Sequence, residues 1–274
     1  MLASVPPQAI TIGMNPSIVS AGPFHLTWHG FFTFLGILVV VLIAARRARG
    51  YGISEDIVSN VAMTAVVGGI IGARLFHVLD WWSYYITNPL QMLNLLSGGI
   101  ALTGGIIGAT VGAAIYIKFA KVPLGTILDI AAPGAPIGQM VGRIGDVING
   151  EHFAVSTDLP WAFVYTHPGS PSFGLLPQHP AVAYEMIWDI FIAGILFWLV
   201  GKVRPTGMVF VSYIALYSIG RFFIQFLRLD AVYFAGLQEA HLLTMSLLVI
   251  AIPLLIIRAR PSRADEDPYV DDRQ

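Results

Sequence analysis

The run His29–Ala45 reads HGFFTFLGILVVVLIAA and is followed at once by Arg46, Arg47 and Arg49. No Asp, Glu, Lys or Arg interrupts it. With its flanks, a helix of this composition approaches the ~30 Å needed to cross bilayer hydrocarbon. The arginines that close it stand where a cytoplasmic boundary is expected. Similar apolar runs recur near 57–79, 101–119, 125–142, 181–201, 206–228 and 239–258. The pattern predicts an all-α integral membrane protein with seven transmembrane helices. Pro133 and Pro136 interrupt the fourth run, a break that membrane helices accept where neighbours satisfy the freed carbonyls.

Composition agrees. The chain has 274 residues, 56% hydrophobic and 11% charged, where soluble domains carry about 25% charged residues. Net charge is −1, so overall charge points to no polyanionic partner, and no nucleic acid is expected. There is no cysteine, which removes a disulfide framework, a thiolate nucleophile and a Cys-based metal site. Any thiol in the chemistry must then come from a substrate. HExxH, GxSxG and GxxxxGK[ST] spacings are absent, so neither a metal nor a cofactor is expected. The first 28 residues hold no Lys or Arg, which argues against a secretory signal with a basic start.

The fifteen Lys and Arg residues orient the helices. Arg46, Arg47, Arg49, Lys118, Lys121, Lys202, Arg204, Arg258, Arg260, Arg263 and Arg273 all fall on one side of a seven-span map. The positive-inside rule makes that side cytoplasmic. It places residues 1–28 outside, a transmembrane domain at 29–258 and a polar cytoplasmic tail at 259–274. The long segment 146–180, rich in Pro, Gly and Ser, reads as a small extracytoplasmic loop cap. Glycines four apart (Gly104, Gly108, Gly112; Gly134, Gly138, Gly142), with Gly68, Gly69 and Gly72, predict close helix packing.

Four arginines serve no orientation: Arg74, Arg143, Arg221 and Arg228. Each maps to the outer half of a helix. Ionisable residues at membrane depth are functional candidates that need a partner, and the guanidinium fork suits a phosphate. The alternative is internal pairing with Asp146, Glu151, Glu185, Asp189 or Asp230. Arg143 lies in GRIGDVINGEH, Gly142–His152, where Arg143, Asp146 and Asn149 share a face if the helix continues that far. Arg221, Gln225 and Arg228 stand at i, i+4 and i+7, on one helical face. Glu185 and Asp189 are spaced i, i+4. Gly104 and its neighbours at the start of the third run are candidates for close backbone approach to a ligand.

These motifs resemble the prolipoprotein diacylglyceryl transferase family over about residues 23–250. GRIGDVINGE is similar to G-R-x-G-N-F-x-N-x-E, with Asp146 and Val147 as departures. PFHLTWHG resembles the approach to the first helix, with His29 where the family has tyrosine. GARLFHVLD is similar to G-G-R-x-x-Y and keeps Arg74. GGIALTGG is similar to G-G-M-S-F-H-G-G, with Thr103 in place of histidine. PQHPAVAYE resembles R-H-P-x-Q-x-Y-E and keeps Glu185. RFFIQFLRLD is similar to R-F-x-x-E-x-x-R-x-D, with Gln225 for glutamate, and Ala240-His241 stands at a usual Gly-Gln pair.

The resemblance implies a multi-pass bacterial inner-membrane enzyme that moves the sn-1,2-diacylglyceryl group of phosphatidylglycerol onto the lipobox cysteine of a prolipoprotein signal peptide. Its partners are those two substrates and membrane lipids, and a monomer is expected. It further implies Arg143 and Arg228 as the principal phosphate ligands. Arg74, Arg221, Asp146, Asn149, Glu151, Glu185, Thr103 and Gly104 complete the expected substrate site. Thr103 is no base near neutral pH, so His29 and His241 are the candidates for that role. The departures leave a second reading open, a diverged, weakly active or non-catalytic phospholipid-binding paralogue.

Overall fold

The computed structural model describes residues 9–22, 24–94, 98–99 and 101–262. Arg263, Arg273 and the tail beyond 262, the first eight residues, and Ile100 of the GGIALTGG stretch lie outside them. The chain begins with β1 (Ile10–Ile12), β2 (Ser17–Ala21) and β3 (Phe24–Thr27), and β2 and β3 pair as an antiparallel hairpin. Long helices follow. They are α1 (Trp28–Ala48), α2 (Glu55–Asp80), α4 (Leu102–Ala120), α7 (Ala181–Leu199), α8 (Met208–Gln225) and α9 (Glu239–Arg258). A one-turn α3 (Trp82–Tyr85) lies between α2 and α4.

Six helices among the described residues are long and apolar enough to cross a membrane. The fourth apolar run forms two shorter helices instead, α5 (Leu124–Ala131) and α6 (Gly134–Asn149). The break falls at Ala132-Pro133, as expected where a proline cannot donate to the ladder. α6 extends through Asn149, seven residues beyond the apolar run. Its last two turns carry polar groups that face protein, so hydropathy alone closed the segment too early. α8 ends at Gln225, short of the expected 228.

Side chains such as Phe34, Ile106 and Ile256 are exposed around the helices. That is the ordinary state of a surface that meets lipid rather than water.

Helix pairs meet along glycine seams. A Cβ on Gly68, Gly72, Gly104 or Gly108 would run into the backbone of the facing helix, so α2 and α4 pack antiparallel with main chains nearly touching. Gly36 and Gly138 do the same for α1 and α6. Without a hydrophobic drive between helices in lipid, such close approach supplies the packing.

A polar cap closes the end of the bundle where α1 begins and α6 and α8 finish. β1 pairs in parallel with β4 (Phe163–Tyr165). Gln178 bridges to Ser156 and Phe163, and Ala154 bridges to Arg228. Beyond α8, β6 (Val232–Phe234) and β7 (Leu237–Gln238) form a second hairpin. At the opposite end, β5 (Val203–Arg204) pairs with β8 (Arg260–Pro261). There the buried Asp129 of α5 accepts from the Gly207 and Phe210 amides, at 2.7 and 2.9 Å. It satisfies the free N–H groups at the start of α8 as an N-cap residue would.

Candidate functional site

The polar residues of α6, α7 and α8 converge beneath the cap. Glu185, one turn into α7, is 4% exposed. Its carboxylate forms an ion pair with Arg143 of α6 and accepts from Arg221 of α8. Arg228 Nη1 stands 3.6 Å from the same carboxylate, and Arg143 Nε lies 3.5 Å from Asp189 Oδ2. Glu185 thus holds three guanidinium groups in one cluster. Helical spacing explains its reach, since Glu185 and Asp189 are i, i+4 on one face of α7.

Arg228 arrives differently from the sequence expectation. It is not on α8 but in the turn after it, where its amide bonds to the Gln225 carbonyl. Gln225 points elsewhere, with Nε2 donating to Asp230 Oδ2 at 2.7 Å and also to Gln238 Oε1. The arginine–glutamine–arginine stripe therefore does not exist as one face. Arg228 Nε donates to Asp230 at 3.3 Å. Partial burial works against the Asp230 carboxylate, but the Gln225 hydrogen bond and the charges of Arg228 and Arg221 outweigh it and hold its pKa below the ordinary carboxylate value.

In front of these arginines lies an open cavity of about 540 Å³, within the ~300–1,000 Å³ typical of ligand sites. Its polar end is lined by His29, Arg143, Asp146, His152, Arg221 and Arg228. Thr33, Ile37 and Val40 of α1 continue it as an apolar slot down the bundle. Glu185 and Asp189 do not line it; they sit behind the arginines. The lining thus presents three guanidinium groups against one carboxylate, Asp146. A headgroup anion at the polar end with an acyl chain in the slot matches that division.

Asp146 is the centre of a second cluster. Its Oδ1 is 2.6 Å from His29 Nδ1 and its Oδ2 is 3.3 Å from His152 Nε2. Glu151 Oε1 comes within 3.5 Å of the same His29 nitrogen. Arg228 Nη2 lies 2.7 Å from His152 Nδ1. Arginine only donates, so His152 Nδ1 is the acceptor and its Nε2 carries the proton toward Asp146. Nearby, burial first and the Asp146 charge second push the Tyr165 phenol above its usual range. It keeps its proton and donates to the Val147 carbonyl at 2.9 Å.

Several expected site residues lie elsewhere. Arg74 is buried in another part of the molecule. Its Nε donates to the Met92 carbonyl at 2.9 Å, and Nη1 to those of Gly98 and Gly99 at 2.8 Å. Nη2 donates to Gln91, and the group lies 5.2 Å from the Tyr85 ring centroid. A guanidinium so committed to carbonyls organises a loop. Thr103 is exposed at the start of α4, and Gly104 is packed against Gly72 and Phe76, so neither reaches the cavity. His241 is 2% exposed and packs between Phe222 and Phe226, outside the cavity. Its Nδ1 accepts from the Gln238 amide at 3.3 Å in a capping box. Asn149 ends α6, where its carbonyl accepts from Ser170; it is not part of the cavity lining.

His152, Gln139 and Tyr217 line the cavity without having been singled out as site residues from sequence. His152 had a signal, as the residue directly after the GRIGDVINGE motif. Gln139 had only its place four residues before Arg143, one turn away on α6.

A family model described as prolipoprotein diacylglyceryl transferase matches residues 16–257. A phosphatidylglycerol–prolipoprotein diacylglyceryl transferase of Dehalococcoides mccartyi is 34% identical over 253 residues, covering 92% of this chain and 96% of that protein. The protein of the same name from Clostridioides difficile is 36% identical over 220 residues, 80% of this chain and 86% of its own length. That from Bacillus cytotoxicus is 34% identical over 257 residues, 90% of this chain and 93% of its own.

Proposed function

Because this chain belongs to the prolipoprotein diacylglyceryl transferase family, we propose that it transfers the diacylglyceryl group of phosphatidylglycerol to the lipobox cysteine of prolipoproteins. The observation that carries this reading is the cavity itself. Three arginines face a space whose other end is apolar, which is the division of a phospholipid.

Arg143, Arg221 and Arg228 hold the phosphate. Charge-assisted, fork-shaped donors suit phosphate oxygens, and partial burial strengthens them. As the ester bond to the glyceryl carbon breaks, negative charge grows on the departing phosphate. Donors already placed there stabilise that change. Glu185 keeps the cations together from behind without occupying the space in front. The acceptor supplies the thiol, consistent with a chain that has no cysteine of its own.

The six long helices are joined by α5 and α6 as a seventh, broken span. The basic residues at the opposite end of the bundle support an extracytoplasmic position for the cavity, in a bacterial inner-membrane protein. Both substrates enter sideways from the bilayer, and one chain suffices.

The test is turnover by the purified protein of vesicles containing phosphatidylglycerol together with a lipobox peptide. A thioether-linked lipopeptide is the expected product, absent when the peptide cysteine is serine. Lipid binding without any product would give the place to a non-catalytic phospholipid-binding role.

A further inference from the structure

We propose that His29, oriented by Asp146, is the base that takes the proton from the acceptor thiol. This rests on the transferase reading above and assigns the proton transfer within it.

His29 is the second residue of α1, and Thr27 caps that helix by accepting from the Gly30 amide. Gly145 permits the placement. A Cβ there would stand 2.7 Å from His29 Cα and 2.8 Å from the Trp28 carbonyl. Only glycine lets α6 come this close, and one residue later Asp146 meets the imidazole at 2.6 Å.

That contact fixes the tautomer. A carboxylate oxygen accepts, so His29 Nδ1 carries the hydrogen and Nε2 carries the lone pair. Nε2 has no hydrogen bond among the described residues, and the side chain is 44% exposed. His152, the other imidazole of the cavity, has both nitrogens engaged, one by Arg228 and one by Asp146. His29 is thus the cavity imidazole with an acceptor nitrogen to spare. The charged and titratable groups facing it are Asp146 from α6 and Glu151 from the loop after it. Across the cavity stand Arg143, Arg221, Arg228 and His152.

The step balances. The S–H proton passes to His29 Nε2, leaving a thiolate, the nucleophilic form of cysteine. The thiolate forms a C–S bond to the glyceryl carbon that bears the phosphate ester. The C–O bond breaks, and its electron pair leaves on the phosphate oxygen. The phosphate monoester, now with a second negative charge, is held by the arginines until it takes the proton from His29 or from water. The chain of polar contacts Arg228–His152–Asp146–His29 joins the group that feels the phosphate to the group that takes the proton. Asp146 is a positioning residue in this scheme.

The experiment uses full-length enzyme, phosphatidylglycerol vesicles and a lipobox peptide. Wild-type enzyme that gives no product defeats the transferase reading itself, and the base assignment with it. Given wild-type turnover, His29→Gln should lower kcat/KM by about 10²–10³-fold, the range for loss of a general base. Its binding of phosphatidylglycerol vesicles should stay within about threefold, and the acid limb of its pH–rate profile should vanish. Imidazole should restore part of the rate to His29→Ala. Asp146→Asn should lose about tenfold or more and move the acid limb, with partial recovery in Asp146→Glu.

Three results overturn the assignment. One is His29→Gln with near wild-type turnover or an unchanged acid limb. Another is loss of vesicle binding in folded His29→Gln as large as that in Arg143→Ala, which would make His29 a headgroup ligand. The third is wild-type activity abolished by EDTA and restored by Zn²⁺. His29, Asp146 and Glu151 offer ligand atoms within 4.8 Å of one another, and an ion there would displace the proton relay.

Discussion

Glu185 and Arg143 form an ion pair between α7 and α6, with Glu185 4% and Arg143 13% exposed at the side chain. The same carboxylate holds Arg221. Removing it leaves like charges facing one another out of water. Breaking a buried pair from one side costs about 3–5 kcal/mol. Glu185→Ala should therefore fail to give stable protein or lower the detergent Tm sharply. Glu185→Gln, which keeps the acceptor oxygen and loses the charge, should sit between. An Ala variant as stable as wild type would mean that the arginines need no splint.

The two buried arginine environments predict opposite phenotypes. Arg143→Ala and Arg228→Ala should cost at least about 10²-fold in kcat/KM for phosphatidylglycerol, the scale for losing a preorganised donor to a growing anion. Arg143→Lys should also be impaired, because a point charge cannot replace a fork held by Glu185 and Asp189. Arg74→Ala should instead lower stability by loosening Gln91, Met92, Gly98 and Gly99, whose carbonyls it collects. Its KM per folded enzyme should change little. Thermal unfolding and initial rates on the same samples separate the two. A KM effect at Arg74 equal to that at Arg143 would place Arg74 at the headgroup after all.

Legibility in the sequence followed how local each signal was. Hydropathy located the span of α9, 239–258, to the residue, because a lipid-facing helix advertises itself at every position. It closed the fourth run at 142, because Arg143, Asp146 and Asn149 interrupt the apolar residues of the last turns of α6. The arginines shared a type and a membrane depth, yet Arg74 and Arg143 diverge through tertiary partners alone. The carbonyls of Gln91, Met92, Gly98 and Gly99 meet the first, and a carboxylate from α7 meets the second. Arg228 escaped the helical stripe because α8 ends at Gln225. His29 and Asp146 lie 117 positions apart. Each stood out separately as a family departure, but their contact needed the fold.

The glycine seam between α1 and α6 predicts a paired result. A Cβ on Gly36 would overlap the Gly138 carbonyl, whereas a Cβ on Gly194 of α7 meets nothing within 4 Å. Gly36→Ala should force the helices apart, separating His29 from Asp146 and lowering both Tm and turnover. Gly194→Ala should be neutral or stabilising, by up to about 1 kcal/mol from helix propensity. Equal behaviour of the two substitutions would show that the seam tolerates a methyl group.

Asp129 lets stability be changed far from the chemistry. It is 3% exposed and caps the start of α8, at the end of the bundle opposite the cavity. Asp129→Ala strips two acceptors from amides that have no other partner among the described residues. A lost cap costs roughly 0.5–2 kcal/mol, and burial favours the upper part of that range, since unsatisfied amides cannot turn to water. Asp129→Asn retains one side-chain oxygen and should recover part of the loss. α8 carries Arg221 at its far end, so a cap that fixed only local structure would leave the arginine cluster in place. The expected outcome is therefore a lower Tm with KM and the pH–rate profile unchanged per folded molecule. A changed KM would mean that α8 moves as a rigid rod, and that its start and the arginine cluster at its end respond together.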